Sequence, residues 1–318
     1  MRFPIPLLSL LTFTALTLPL APGPWSLVPN ALAQTETPDA QKAEADRLFQ
    51  QGIQQYRVSQ FREALQSWEQ ALTLYRQIGD RQGEANSMGN LGNAYHSLGN
   101  YELAIDYYNQ ALGLEREIGN RAGEGNLFFR IGWSYSFYSQ YQLAIEFFDQ
   151  VLQIAQELGD LEKEVAAQYA LGWVYDDLGQ RQKAIDFYSA ALLIVQETND
   201  KYQEASILNG LGWVYTALGE NQKAIDFFAK QLTIAHEILN RQQEANALNG
   251  LGFAYAQLSK YQESINFSEQ ALSIHREIND IREEAYALGD LGNAYASLGQ
   301  YQKAIDYLMR CNYSGLKN

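Results

Sequence analysis

A strict repeat of 40 residues constrains the fold of this chain more than any other feature of its sequence. A glycine occurs once per repeat, a tyrosine follows it by three residues in six of seven copies, and a small residue follows it by twelve. The glycines are Gly52, Gly92, Gly132, Gly172, Gly212, Gly252 and Gly292; the tyrosines are Tyr95, Tyr135, Tyr175, Tyr215, Tyr255 and Tyr295; the small residues are Ala64, Ala104, Ala144, Ala184, Ala224, Ser264 and Ala304. Self-similarity at a fixed period of this length is typical of proteins built from stacked units.

Each repeat is predicted to contain two helices joined by a short turn. In the second repeat, Leu91, Tyr95 and Leu98 lie at i, i+4 and i+7, which is one face of a helix. Gly99 and Asn100 end that helix, and a second apolar face follows. Each first helix is preceded by an Asp or Asn that can cap it, and four residues later a Glu lies in its first turn. The capping residues are Asp80, Asn120, Asp160, Asp200, Asn240 and Asp280, and the glutamates are Glu84, Glu124, Glu164, Glu204, Glu244 and Glu284.

The repeated glycine lies inside the first helix, where glycine costs about 1 kcal/mol relative to alanine. We expect it to be there because a missing side chain lets the two helices of a repeat approach closely. The small residue at Ala104 and its equivalents is the expected contact surface.

These residues resemble a known signature. Leu91, Gly92 and Tyr95, followed by Gly99, Tyr101, Ala104, Tyr108 and Ala111, are similar to the tetratricopeptide repeat. The usual period of that family is about 34 residues, and the longer period here resembles the repeats of kinesin light chains and spindle-orientation adaptors. The resemblance implies an all-α fold, a right-handed superhelical solenoid of antiparallel helix pairs. It also implies a concave groove lined by first helices, and binding of a protein or peptide.

The sequence divides into three predicted segments. Residues 1–33 resemble a secretory signal peptide: Arg2 precedes an apolar run, and Ala31-Leu32-Ala33 forms a small-x-small cleavage site. Residues 34–44 are a predicted linker, and residues 45–318 are the predicted solenoid, with six full repeats and a truncated seventh. We therefore expect a bacterial protein exported to the periplasm or secreted after cleavage near Ala33, with an uncleaved membrane anchor as the alternative. The last helix is expected to fray after Cys311, where the apolar periodicity stops.

Composition excludes several classes of function. The formal net charge is -14, whereas a protein that binds nucleic acid needs clustered Lys and Arg. The sequence contains no basic amphipathic segment that favours a membrane surface, so we expect no membrane contact beyond the signal peptide. Three histidines and one cysteine show no spacing typical of a metal site or a catalytic set. We expect no enzyme activity, no cofactor and no metal.

One position of the first helix carries the candidate site. It lies about 200° around the helix from the core-facing leucine, and it holds aromatic residues in four consecutive repeats: Trp133, Trp173, Trp213 and Phe253. The same position is asparagine in two other repeats, and further aromatic, amide and basic residues lie on the same arc. These residues are Asn93, Asn293, Phe129, Tyr169, Asn126, Arg130, Asn209 and Asn249. In the tetratricopeptide family this position belongs to the concave groove.

Two interpretations of the aromatic residues are open. They could pack against neighbouring helices, as aromatic residues at helical spacing usually do. Alternatively, they form the floor of a groove that binds an extended peptide, with asparagine amides donating hydrogen bonds beside the rings. Arg130 is the only base predicted nearby, so the groove does not match the family's clamp for a C-terminal carboxylate.

The sequence supports three hypotheses of function. The first is a non-catalytic scaffold that binds a protein or peptide. The second is the sensor or adaptor half of a longer protein with a C-terminal caspase-like protease domain, since similar bacterial arrays often precede such a domain. The third is glycan binding through the aromatic residues, which is weaker because sugar sites usually place carboxylates beside the rings.

Overall fold

The computed structural model describes residues 37–315, with side-chain placement through Cys311. In this part of the chain all regular secondary structure is α-helical. The fourteen helices are α1 (Pro38–Arg57), α2 (Phe61–Ile78), α3 (Arg81–Ser97), α4 (Tyr101–Glu117), α5 (Arg121–Phe137), α6 (Tyr141–Leu158), α7 (Leu161–Asp177), α8 (Arg181–Thr198), α9 (Lys201–Ala217), α10 (Asn221–Glu237), α11 (Arg241–Gln257), α12 (Tyr261–Glu277), α13 (Ile281–Ser297) and α14 (Tyr301–Gly315). The predicted signal peptide, residues 1–33, lies outside the described residues, so it stays a prediction.

The helices form two layers. Each helix packs mainly against its neighbours in sequence, as expected for a solenoid of helix pairs. Consecutive first helices from α3 to α13 also contact one another, while consecutive second helices stand further apart. The layer whose members lie closer together is the inner layer of a curved array. The odd-numbered helices therefore line the concave side, which confirms the predicted all-α solenoid.

The first helix begins earlier than expected. Residues 38–44, assigned to a linker, belong to α1, so that prediction is wrong from Pro38 onward. Thr37 caps the helix, since its hydroxyl accepts a hydrogen bond from the Ala40 amide at 3.3 Å, and Pro38 suits the first turn. Lys42 then forms an ion pair with Asp80, 2.7 Å away, which ties the segment to the end of the first repeat.

The predicted caps of the first helices are present. The side-chain oxygen of each Asp or Asn accepts a hydrogen bond from the backbone amide three residues later, at 2.8 Å for Asp80 and 3.1 Å for Asp280. Five of the six first-turn glutamates bind basic residues, and Glu164 accepts a hydrogen bond from Gln156 of the preceding helix at 3.0 Å. Glu124, for example, contacts Arg121 of its own helix at 3.2 Å and Arg116 of the preceding helix at 3.3 Å. These glutamates therefore fasten each first helix to the second helix before it.

The repeated glycine makes the expected close approach, but to a different residue. A Cβ built on Gly92 would lie 2.5 Å from the ring of Tyr108, and one on Gly212 would lie 2.4 Å from the ring of Phe228. The expectation that Ala104 and its equivalents form the contact surface is therefore wrong in most repeats. A helical side chain leans toward the N-terminus of its helix, so the ring of Tyr108 covers the surface beside Ala104.

The last helix presents an exposed apolar side. Helix α14 extends to Gly315, four residues beyond the point where the apolar periodicity stops. Ile305, Leu308 and Met309 are exposed. In the earlier repeats the next helix pair covers the position of Ile305, and α14 is the last helix described. The fraying expected after Cys311 stays a prediction.

One loop position holds a residue that its backbone does not suit. Each second helix from α2 to α12 is followed by a residue with positive φ, which is glycine or asparagine at Gly79, Gly119, Gly159, Asn199 and Asn279. The equivalent residue between α10 and α11 is Leu239, with φ of 53° and 86% of its surface exposed. A left-handed conformation costs roughly 1–2 kcal/mol for such a residue, and this side chain recovers little of that cost by packing.

We therefore expect Leu239→Asn to raise the thermal unfolding temperature. The gain is about 1 kcal/mol, or about 1–2 °C for a chain of this size. The matched control is the reverse change at the equivalent position, Asn199→Leu, which is expected to lower the unfolding temperature by a similar amount. Thermal unfolding followed by circular dichroism measures both. Equal unfolding temperatures for the two variants would contradict this assignment of strain.

Candidate functional site

Three cavities on the concave side are formed almost entirely by first helices. The N-terminal cavity, about 370 Å³, is lined by Tyr56, Asn93, His96, Tyr108, Asn126, Phe129, Arg130, Trp133, Phe137 and Lys163. The middle cavity, about 520 Å³, is lined by Phe129, Glu162, Ala166, Tyr169, Asp200, Tyr202, Gln203, Ser206 and Ile207. The C-terminal cavity, about 420 Å³, is lined by Asn209, Trp213, Asn246, Asn249, Phe253, Glu283, Tyr286 and Asp290. Together they make a groove that runs along the array.

The aromatic residues of the predicted position are partly accessible, as expected. Trp133, Trp173 and Phe253 are half-buried, and 37% of Trp213 is exposed. One edge of the ring also packs on the core. The ring of Trp133, for example, lies 5.4 Å from that of Phe148. Both interpretations therefore describe part of each side chain, because one edge of the ring is packed and the other lines the groove.

The aromatic residues form two separate groups rather than one stripe. The rings of Trp133 and Trp173 are 5.5 Å apart, and those of Trp213 and Phe253 are also 5.5 Å apart. Across the described residues no ring contact joins Trp173 to Trp213. Phe129 packs edge-on against Trp133 at 6.1 Å and extends the first group toward the middle cavity. Trp173 lines none of the three cavities, since its ring lies against Trp133.

At three positions the amide group of the predicted asparagine already makes a contact within the protein. The Asn93 side chain donates to Asn90 at 3.2 Å, and that of Asn209 donates to Gln231 at 3.1 Å. Asn249 is buried, and its amide nitrogen lies 2.9 Å from Nε2 of His275. Side chains this close to the core need partners within the protein.

The Asn93 oxygen is also engaged. It accepts hydrogen bonds from the Tyr108 hydroxyl, at 2.9 Å, and from the Arg130 guanidinium. By contrast, Asn126 and Asn293 are exposed. Asn126 uses only its oxygen, which accepts from the Lys163 ammonium at 2.6 Å, so its amide group can still donate. Asn293 lines none of the three cavities.

Sequence reasoning missed charged residues at both ends of the groove. Lys163 joins Arg130 in the N-terminal cavity, so Arg130 is not the only base there. Glu283 and Asp290 line the C-terminal cavity. The 40-residue period could have identified them. Asp290 occupies the position of Arg130 four repeats further on, and Glu283 occupies the position of Lys163 three repeats further on. The same two helix positions thus carry positive charge at one end of the groove and negative charge at the other.

Burial affects the titration of several groups in the groove. It raises the pKa of Asp290 to about 6, since the carboxylate is removed from water without a cation beside it. Burial also raises the pKa of Glu283, and the nearby Asp280 carboxylate adds to this effect. In the N-terminal cavity, burial lowers the pKa of His96, and the positive charge of Arg130 lowers it further.

Other kinds of site were sought in the described part of the chain. Among residues 37–315, no cluster of three or more His, Cys, Asp or Glu side chains could hold a metal ion. The helices in that range are also too short or too polar to cross a lipid bilayer.

Comparison with known proteins gives the class of this molecule. Models of the tetratricopeptide repeat match residues 45–117, 134–192, 177–237 and 243–311. Together with the fourteen paired helices, these matches define an all-α repeat protein. The chain belongs to the tetratricopeptide repeat family. No curated protein sequence matches it.

Several solved structures share the fold at low sequence identity. The apo form of RapI has a TM-score of 0.70 at 17% identity, over 86% of this chain and 100% of that one. A Rap conjugation gene regulator in complex with the Phr* peptide has a TM-score of 0.59 at 14% identity, over 92% of this chain and 80% of that one. The kinesin light chain-like repeats from Podospora anserina have a TM-score of 0.53 at 20% identity, over 61% of this chain and 95% of that one.

Proposed function

We propose that this protein is a non-catalytic scaffold that binds an extended peptide, or an extended segment of a protein, in its concave groove. The observation that carries the proposal is the presence of partly accessible aromatic rings in three cavities that follow one another along the concave side. The tetratricopeptide family supports a protein-binding scaffold in general, and the Rap regulator similar to this chain is described in complex with a peptide.

The side chains of the groove suit such a ligand. Rings held on one edge by the core are already ordered, so they offer contact area at a low entropy cost on binding. Trp133 is held in this way by Phe148, and Trp213 by Phe228 at 5.4 Å. The free amide of Asn126 and the bases Arg130 and Lys163 of the N-terminal cavity offer hydrogen-bond donors to backbone carbonyls or acidic side chains. Together these features favour a chain in extended conformation over a compact small molecule.

The proposal predicts that Trp213→Asn weakens peptide binding. Peptides are selected from an immobilised random library of twelve residues, and their affinity is measured by fluorescence anisotropy. Loss of one central aromatic anchor is expected to cost about 2 kcal/mol, or more than tenfold in Kd. Asparagine already occupies this position at Asn93 and Asn293, so the helix tolerates it.

The matched control is Tyr301→Ser, which removes an aromatic ring that is 69% exposed and outside the three cavities. This variant should bind the selected peptides as the parent does. A melting curve recorded for each variant separates lost binding from lost folding. Failure to select any peptide, or equal binding by Trp213→Asn and the parent, would be evidence against the groove as the binding site.

A second candidate function is the sensor or adaptor half of a longer protein with a caspase-like catalytic domain. The exposed apolar side of α14 favours it, because Ile305 and Met309 would gain burial from a packed neighbour. The coding sequence downstream of this chain tests the idea. A continuous frame that encodes a catalytic Cys and His would support it, and a stop codon followed by unrelated genes would contradict it.

A further inference from the structure

The C-terminal cavity combines aromatic rings with carboxylates, as the middle cavity also does, and it differs in chemistry from the N-terminal cavity. The walls of the C-terminal cavity combine three aromatic residues, Trp213, Phe253 and Tyr286, with the carboxylates of Glu283 and Asp290. No basic side chain lines this cavity. The N-terminal cavity, in contrast, contains Arg130 and Lys163 and no carboxylate.

The carboxylate of Asp290 lacks a cationic partner within the described residues. It forms no ion pair with Lys, Arg or His there, and its partial burial disfavours the charged form, which raises its pKa. A carboxylate kept in this environment without a partner destabilises the folded protein. A cation bound in the cavity would stabilise the charged carboxylate. The cavity is therefore expected to bind positively charged groups.

A second observation is independent of the carboxylates. Asn249 lines the same cavity, 8% of its surface is exposed, and its side-chain oxygen has no hydrogen-bond partner. Its amide nitrogen is held by His275, which fixes the orientation of the group. An unpaired acceptor at this depth is costly, and an N–H donor from a ligand would satisfy it.

The rings provide the third element. The ring of Trp213 lies 5.5 Å from that of Phe253, and 60% of Tyr286 is exposed. Aromatic faces attract cations, tryptophan most strongly, and the attraction is greater where water is excluded. Carboxylates, an acceptor oxygen and aromatic faces together match an ammonium or guanidinium group on an apolar stem, which is a lysine or arginine side chain.

We infer that the C-terminal cavity binds a lysine or arginine side chain of the peptide held in the groove. This inference rests on the proposed function and specifies its ligand. It also predicts the orientation of the peptide in the groove. The basic residue of the peptide would lie in the C-terminal cavity, and acidic residues of the peptide would lie near Arg130 and Lys163 at the opposite end. A carbohydrate is the competing ligand, because these carboxylates do lie beside the rings, but a neutral sugar would leave the charge of Asp290 unpaired.

Two random peptide libraries of twelve residues test the inference. One contains all residues, and in the other norleucine replaces lysine and citrulline replaces arginine. The parent protein is expected to select peptides with a basic residue from the first library. It should bind the neutral counterparts of those peptides about tenfold more weakly, which is the size expected for a desolvated cation–aromatic contact.

Variants of the protein complete the test. Asp290→Asn should bind basic peptides about tenfold more weakly and should no longer distinguish them from their neutral counterparts. The matched control is Asp306→Asn, which makes the same change in net charge on α14 outside the groove and should bind as the parent does. Because Asp290 is unpaired, Asp290→Asn should melt no lower than the parent. Glu283→Gln provides a second variant of the same cavity.

The outcomes are distinct. Equal binding of basic and neutral peptides by the parent would overturn the inference and leave the proposed function standing. Failure of both libraries to bind would overturn both. A glycan-array signal that Asp290→Asn abolishes, without any preference for basic peptides, would overturn the inference in favour of a carbohydrate ligand.

Discussion

A protein carrying Gly172→Leu is expected to unfold at a much lower temperature than the parent. A Cβ at this position would lie 2.8–3.0 Å from three ring atoms of Tyr188, which is closer than such atoms approach in proteins. The ring cannot retreat, because Gly210 of the next repeat lies on its other side, where a Cβ would be 2.8 Å away. Overpacking a core costs about 1–3 kcal/mol, and without room to relax we expect a value at or above the upper limit.

The matched control is Gly113→Leu. Gly113 also lies inside a helix, but a Cβ there would meet no atom within 4 Å. Leucine is the better helix former, so this variant should be more stable by up to about 1 kcal/mol. Thermal unfolding followed by circular dichroism compares the two. Similar unfolding temperatures for Gly172→Leu and the parent would show that the close approach of the helices is not what requires the glycine.

The second large effect is expected from Ile265→Asn. Ile265 is only 2% exposed and packs with Leu288 and Leu291 of the next helix pair. Removing the aliphatic side chain costs about 2–5 kcal/mol, and burying an amide without a partner adds about 1–3 kcal/mol. The free energy of unfolding, measured in urea, should fall by at least about 3 kcal/mol.

Ile305→Asn is the control at the equivalent position one repeat later. Half of Ile305 is exposed, at 50%, so the same substitution should change the free energy of unfolding by less than about 1 kcal/mol. Equal losses for the two variants would mean that the side of α14 is covered in solution, for example by another molecule. Comparing Ile265→Asn with Ile305→Asn therefore shows whether the apolar side of α14 is exposed in solution, as well as how much each side chain stabilises the protein.

The sequence predicted the architecture well because a fixed period repeats the same evidence seven times. An Asp or Asn before each first helix locates its start, and the structure places the caps at those residues. The start of α1 was missed because residues 38–44 carry little apolar periodicity, so only the Thr37 cap and Pro38 indicated a helix there. The contact partner of the glycines was missed because side-chain direction was not considered.

The candidate site was predictable in part. Repeat position identified which residues face the groove, since every copy of a position points the same way. It could not show that Asn93 bonds to Tyr108 or that Asn249 bonds to His275, because these contacts join different helices. Nor could it show the gap between Trp173 and Trp213, which depends on how successive repeats are rotated.

The glycines on both sides of Tyr188 and Phe228 bear on the shape of the whole array. Gly210 and Gly250 occupy the position that holds Asn90, Arg130, Ala170 and Asp290 in other repeats, and each faces the ring of the preceding repeat. At Gly250 the absence of a side chain lets the successive first helices α9 and α11 lean together. Helices α9 and α11 accordingly make the most extensive contact of their layer. We therefore expect a bulky side chain in place of Gly250 to move α9 and α11 apart, and so to change the curvature of the groove at that point.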